Sequence, residues 1–189
     1  PIMSVEKLPD DEAREHAETA IRLEGTNPRV LNWVAMALIL TGEWKKGLRA
    51  AERAFQINPN LEAGHQAMAL VCVYYKRLDE ALEHLEACLK LAPSAPGSHV
   101  RYLQMAGVHF IAGRYYKAVQ CVEQSLAILP NFTFAMKDLA IFLERLGQRE
   151  EALEALADFR AHWPDISLED LARMHQRSML PPDVAQEMQ

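Results

Sequence analysis

The chain has 189 residues, of which 50% are hydrophobic and 24% charged, and its formal net charge is −6. That is enough for one sizeable domain or an elongated array with a continuous core, and the acidic balance argues against nucleic acid or an anionic membrane as main partner, since both reward clustered Lys and Arg. No apolar run reaches the roughly 18–20 residues of a membrane span, the segment 1–16 lacks the apolar core of a signal peptide, and Cys72, Cys88 and Cys121 have neither paired nor ligand-like spacing, which points to a reducing, cytoplasmic compartment.

Residues 1–7 match only the last part of a first helix in the pattern described below, so the chain is expected to enter in mid-repeat: as a piece cut from a longer protein, the favoured reading, or with residues 1–8 covering that edge irregularly, or with another copy packed there. A helix follows over 11–23, with Ala13, Ala17, Ala20 and Leu23 at helical spacing. From Pro28 the pattern turns regular. Helices are predicted in pairs, 28–41 with 44–57, 62–75 with 78–91, 99–112 with 115–128, and 133–146 with 149–162. Helix 44–57 carries the densest basic group, Lys45, Lys46, Arg49 and Arg53, but Glu43 and Glu52 interleave it, which makes it a solvated face. Between the second and third pairs, Pro96-Gly97-Ser98 lengthens the connection, as a surface loop that could rotate one repeat relative to the next. Beyond Pro164, Ser167 with Asp170 resembles an N-terminal capping arrangement, and Ile166, Leu168, Leu171 and Met174 would supply an apolar stripe for an expected helix over about 168–177. Pro181-Pro182 ends that helix and leaves a short polar tail.

The pairs are copies of one design. GRYYKAVQCVEQSLAILP, from Gly113 to Pro130, reads as a small-residue turn, an amphipathic helix and a closing proline, and the stretches 42–59, 76–93 and 147–164 repeat it. The small residues near the start of each second helix, Ala13, Gly47, Ala81, Ala118 and Ala152, recur at intervals of 34, 34, 37 and 34. Ala35, Ala69, Ala106 and Ala140 keep the same register in the first helices. Small side chains there let the two helices of a pair approach closely. Two further ranks, Ala17, Ala51, Leu85, Val122 and Leu156, then Leu23, Ile57, Leu91 and Ile128, are expected to fill the gaps between pairs.

A helix-turn-helix unit of this length, with Gly42, Trp44, Gly47, Ala54 and Pro59, with Gly113, Tyr115, Ala118 and Pro130, and with Gly147, Ala152 and Pro164, resembles the tetratricopeptide repeat. The likeness covers nearly the whole chain. It implies an all-α fold, a right-handed superhelical solenoid of antiparallel helix pairs. About four full repeats (28–61, 62–98, 99–132 and 133–166) would follow a partial one (1–27) and precede a capping helix and tail (167–189). Lys76 replaces the turn glycine of one repeat, Gly47 replaces the usual alanine, and no first helix opens with the family's tryptophan.

The resemblance also implies where a partner lies. Such arrays hold proteins or peptides on a concave face lined by first helices. Here that face would present Asn32, Met36, Ile39 and Leu40, then Gln66, Leu70, Val73 and Tyr74. Leu103, Gly107, Phe110 and Ile111 follow, and Phe134, Lys137, Ile141, Glu144 and Arg145 come last. The family's carboxylate clamp needs Lys, Arg and Asn at set positions that here hold Asn32, Met36, Gln66 and Leu103, which disfavours it. A groove that is apolar in its middle and charged at its C-terminal end suits an apolar peptide or protein segment, oriented by Lys137, Glu144 and Arg145. The expected function is an adaptor scaffold, and Phe110→Glu is expected to abolish binding without unfolding the array. Two alternatives stand beside it. HWPDISLEDLARM (162–174) resembles the closing segment of tetratricopeptide regions in bacterial signalling proteins, which would make the chain the regulatory or sensory part of a larger cyclase or transcription regulator. Alternatively, helix 11–23 or the C-terminal cap would join two copies as a homodimer.

No enzyme, cofactor or metal is expected. His84 and Cys88 stand four apart on one helix, a spacing that could share a metal, but Cys88 occupies a small-residue core rank. His65, His99 and His109 lack a matched carboxylate or nucleophile, and His109 falls where the family has a core aromatic, as a satisfied buried or half-buried histidine. There is no glycine-rich phosphate loop, zinc spacing or serine elbow.

Overall fold

The computed structural model describes residues 10–93 and 97–165. The residues preceding them, the Pro96 turn, and the expected capping helix and tail lie outside this range, as does the side chain of Leu40. The described residues form α-helices and no strand: α1 (Asp10–Glu24), α2 (Pro28–Leu40), α3 (Trp44–Ile57), α4 (Glu62–Tyr74), α5 (Leu78–Leu91), α6 (Ser98–Ile111), α7 (Tyr115–Ile128), α8 (Thr133–Leu146) and α9 (Arg149–His162). Each lies within a residue of its expected bounds.

Local chemistry sets these limits. At α2, Asn27 takes the N-cap position and its side chain accepts from the Arg29 amide at 3.0 Å, with Pro28 in the first turn. The turn inside each pair passes through a left-handed residue, Gly42, Lys76, Gly113 or Gly147. The next amide then reaches back five residues, Glu43 N to Leu38 O at 2.7 Å, Arg77 N to Cys72 O at 2.8 Å, Arg114 N to His109 O at 2.8 Å and Gln148 N to Leu143 O at 3.0 Å. This C-terminal motif closes carbonyls that the helix end leaves open. Lys76 adopts φ +57° where glycine stands elsewhere, so the motif persists although the sequence departs from it.

Helices pack on their neighbours in chain order, and α2 also lies against α4. Leu31, Val34, Leu38 and Leu70 centre the core of α1–α4, Cys72, Leu82, Leu85 and Val108 join α4, α5 and α6, and Phe110, Val122 and Phe142 centre that of α6–α9. Small residues hold the closest crossings. Ala35, Ala69, Ala81, Ala106 and Ala118 are buried, and so are Cys88 and Ser125. Those last two add a hydrogen bond to the packing, Cys88 Sγ to Glu62 O at 3.0 Å and Ser125 Oγ to His99 O at 2.8 Å.

Gly47 shows why one repeat lacks the usual alanine. A Cβ there would lie 2.9 Å from the Ala35 carbonyl oxygen and 2.7 Å from Ile39 Cγ1. Gly47→Ala gains about 1 kcal/mol of helix propensity, but overpacking against fixed backbone costs about 1–3 kcal/mol. Net destabilisation of about 1 kcal/mol is expected in urea unfolding. A more stable variant would show that α2 and α3 separate freely.

One packing expectation is overturned. Ala17, Ala51, Leu85 and Val122 are buried as expected, and Leu156 is partly covered. The companion rank is not: Leu23, Ile57, Leu91 and Ile128 are 74%, 42%, 49% and 50% exposed. They stand at or beside the last residue of each second helix.

Candidate functional site

The first-helix positions divide by burial. Asn32, Ile39, Leu70, Val73 and Phe110 are buried. Ile39 and Leu70 belong to the α1–α4 core, Val73 to the α4–α6 core, and Phe110 stacks on Phe142 with ring centroids 4.5 Å apart. Their side chains are enclosed by neighbouring helices, which corrects their place in a ligand groove. Met36, Gln66, Tyr74, Leu103, Gly107, Ile111, Lys137 and Ile141 are half-buried, while Phe134, Glu144 and Arg145 are exposed. Gln66 Nε2 donates to Gln104 Oε1 at 3.4 Å, linking α4 and α6. Lys137 is paired with the adjacent Asp138 and Glu144 with Arg149, so both charges already have partners.

The aromatic surface is richer toward the N-terminal repeats than the sequence reading held. Trp33 is 72% exposed, on α2 and one turn from Met36. Trp44, at the start of α3, stacks on Tyr74 at 5.6 Å, and Tyr74 meets the edge of the exposed Tyr75 at 5.2 Å. The Arg77 guanidinium lies 6.0 Å from the Tyr75 ring. Trp33 and Tyr75 were missed among the candidates. Their signal was large aromatic type next to the candidate positions Asn32 and Tyr74; periodicity alone did not show which neighbour points outward.

Polar groups inside the array serve packing. His65 and His84 meet through their Nδ1 atoms at 2.8 Å, one as donor and one as acceptor, and Phe55 presents its ring to both. His84 therefore faces His65, whereas Cys88 bonds the Glu62 carbonyl, so the two do not converge on one ligand position. Burial holds the His84 imidazole below its ordinary range, with His65 adding to the effect. His99 is lowered by burial and then Arg101, and His109 by burial and then Lys117 and Arg114. His109 is buried as expected, but its Nδ1 has no hydrogen-bond partner. The cysteines are free thiols, and burial pushes Cys88 up to about 11 and raises Cys72 and Cys121. Neutral thiols are poor nucleophiles and poor ligands. Among the described residues no group of three His, Cys, Asp or Glu side chains is placed to hold a metal, and no helix is long and apolar enough to cross a membrane.

No protein-family model and no curated protein matches this chain. Solved structures do. PilW, titled a widely conserved type IV pilus biogenesis factor, superimposes with a TM-score of 0.75 at 19% identity over 95% of this chain and 82% of its own. MamA residues 41 to the end, from Desulfovibrio magneticus RS-1, gives 0.63 at 17% identity over 82% of this chain and 86% of that one. A further MamA structure, AMB-1, gives 0.61 at 20% identity over 83% and 98%. At such identities the likeness is one of fold, and together with the paired helices and their left-handed turns it identifies the chain's architecture as an all-α solenoid of the tetratricopeptide type.

Proposed function

We propose that this chain is a protein-binding scaffold that takes an apolar segment of a protein or peptide on the aromatic surface of its N-terminal repeats. The observation that carries the reading is Trp33, 72% exposed on a first helix beside Met36, with Trp44, Tyr74 and Tyr75 forming a second aromatic group. Tryptophan and tyrosine are the side chains most often found as binding hot spots, because they bury a large area at low entropic cost. The net charge of −6 favours a protein partner over nucleic acid. Free cysteines suit a reducing, cytoplasmic setting. The reading assigns the chain no catalytic step.

Affinity capture from native lysate, with the wild type beside Trp33→Glu/Tyr75→Glu, tests it. Both side chains are exposed, so stability is expected to change by no more than about 0.5 kcal/mol per site. A partner retained by the wild type is expected to bind the variant about 30-fold or more weakly, as loss of a hot spot does. Equal retention by both proteins would place binding elsewhere.

A second reading, self-association, is favoured by α1, whose Ile21 and Leu23 are exposed large hydrophobics. Sedimentation of Leu23→Glu beside the wild type separates the two, since only a dimer through α1 would dissociate in that variant.

A further inference from the structure

Lys45, Arg49 and Arg53 stand four residues apart on α3 and are all exposed, so they form one stripe about 12 Å long on its outer side. Like charges at that spacing repel and weaken their own helix. The neighbouring Glu43 does not relieve them, because it is engaged by Lys46 at 3.7 Å, as Glu18 is at 3.5 Å. Glu52, the one carboxylate of α3, is half-buried, and among the described residues Lys45, Arg49 and Arg53 enter no ion pair.

The same three repeat positions carry the opposite charge on α9. They hold Glu150, Glu154 and Asp158, all exposed and again four residues apart. Asp158 lies 3.4 Å from His162, an ion pair only when that ring is protonated, and among the described residues Glu150 and Glu154 have no cation beside them. On the helices between, these positions hold Asp79, Glu83 and Ala87 in α5 and Tyr116, Gln120 and Gln124 in α7, and Asp79 is engaged by Arg114 at 2.7 Å. The stripe thus runs from basic in the first full repeat to acidic in the last. Beside its acidic end stand Leu153, 57% exposed, and the exposed Ala157.

We propose that the basic stripe of α3 in one copy docks on the acidic stripe of α9 in a second copy of this chain. Set antiparallel, as helix dipoles favour, the two helices bring Lys45 to Asp158, Arg49 to Glu154 and Arg53 to Glu150, while the aliphatic stems of the cations cover Leu153 and Ala157. Repulsion within each helix is replaced by attraction between copies, and charge complementarity of this kind fixes register and orientation. A second copy is the occupant because the chain itself carries both halves of the match at one spacing. The contact joins unlike faces, so each added copy leaves a basic and an acidic stripe open, and rows of copies form unless the row closes. It involves neither Trp33 nor Tyr75 and does not depend on the aromatic surface.

Sedimentation velocity of the full chain at about 50 mM and about 500 mM salt tests the interface, since salt screens exposed charges. The wild type is expected to show a mass that rises with concentration at low salt and to be monomeric at high salt. Two reversals, Lys45→Glu/Arg49→Glu/Arg53→Glu and Glu150→Lys/Glu154→Lys/Asp158→Lys, are each expected to keep the helical circular dichroism, the sites being exposed, and to associate about 10- to 100-fold more weakly. Mixed in equal amounts, the two reversed proteins are expected to associate again, because each supplies the stripe that the other now needs. Leu23→Glu, which probes α1, is expected to leave this association unchanged. A wild type monomeric at low salt, a reversed protein that associates as the wild type does, or a mixture no tighter than its components would overturn the interface. Loss of association in Leu23→Glu would overturn it too, by assigning the contact to α1.

Discussion

Phe142→Ala is expected to destabilise the protein by about 3–5 kcal/mol, the usual cost of removing a large aromatic from a closed core. Phe142 is 1% exposed and stacks on Phe110 at 4.5 Å and 19°. Truncation removes its own buried surface, the ring–ring contact and part of the packing of Val122 and Ala135 in the same core. A domain has about 5–15 kcal/mol in all, so the loss is a large share. Because a solenoid is stabilised by nearest-neighbour interfaces, amide exchange is expected to quicken in α6–α9 well before α2–α4. Urea unfolding followed by circular dichroism measures the magnitude, and native-state hydrogen exchange the location. A change below about 1 kcal/mol, or uniform loss of protection, would contradict the packing described. The same geometry revises the expected outcome of Phe110→Glu, which places a carboxylate under Phe142 and unfolds this half of the array, so it does not report on binding.

Acidification is expected to weaken the fold as pH falls from 7.5 to about 5.5. His84, His99 and His109 all have folded pKa values below the ordinary histidine value, with burial the largest cause in each. Below about pH 6.5 the unfolded chain therefore binds more protons than the folded one. Stability is fully present above that pH and is lost as acid carries the solution down through the folded values. His109 is the most enclosed of the three, and protonation would add a charge beside Lys117 and Arg114. At His84, the hydrogen bond to His65 survives one proton but not two, since two imidazolium rings have no acceptor between them. Melting temperatures at pH 7.5 and 5.5 should fall in the wild type and fall less in His109→Phe, which removes one titrating group. A flat profile over that interval would contradict the assignment; below it the carboxylates titrate and obscure the effect.

Most of the architecture was legible because it is local. The 34-residue spacing, the small-residue ranks and the closing prolines place each helix within a residue, since capping and turn chemistry act over a few positions. Lys76 illustrates the same point: flanking helices hold its turn in the left-handed form even where glycine is missing. The choice between packing and presentation was not local. Periodicity puts Ile39, Val73 and Phe110 on the same register face as Glu144, yet the first three are buried and the last exposed. Likewise it aligns Leu23, Ile57, Leu91 and Ile128 with core positions, whereas the structure leaves them uncovered.

By itself, then, the sequence determined that the chain is an all-α array of paired helices, where each helix begins and ends, and which side of it is apolar. Only the tertiary structure decided which apolar side chains are shared between neighbours, that Trp33 and Tyr75 face outward, and that α2 and α3 approach too closely for a Cβ at Gly47. The physical reason is that helix formation follows from contacts within about four residues, while burial depends on the offset and separation of helices about 34 residues apart.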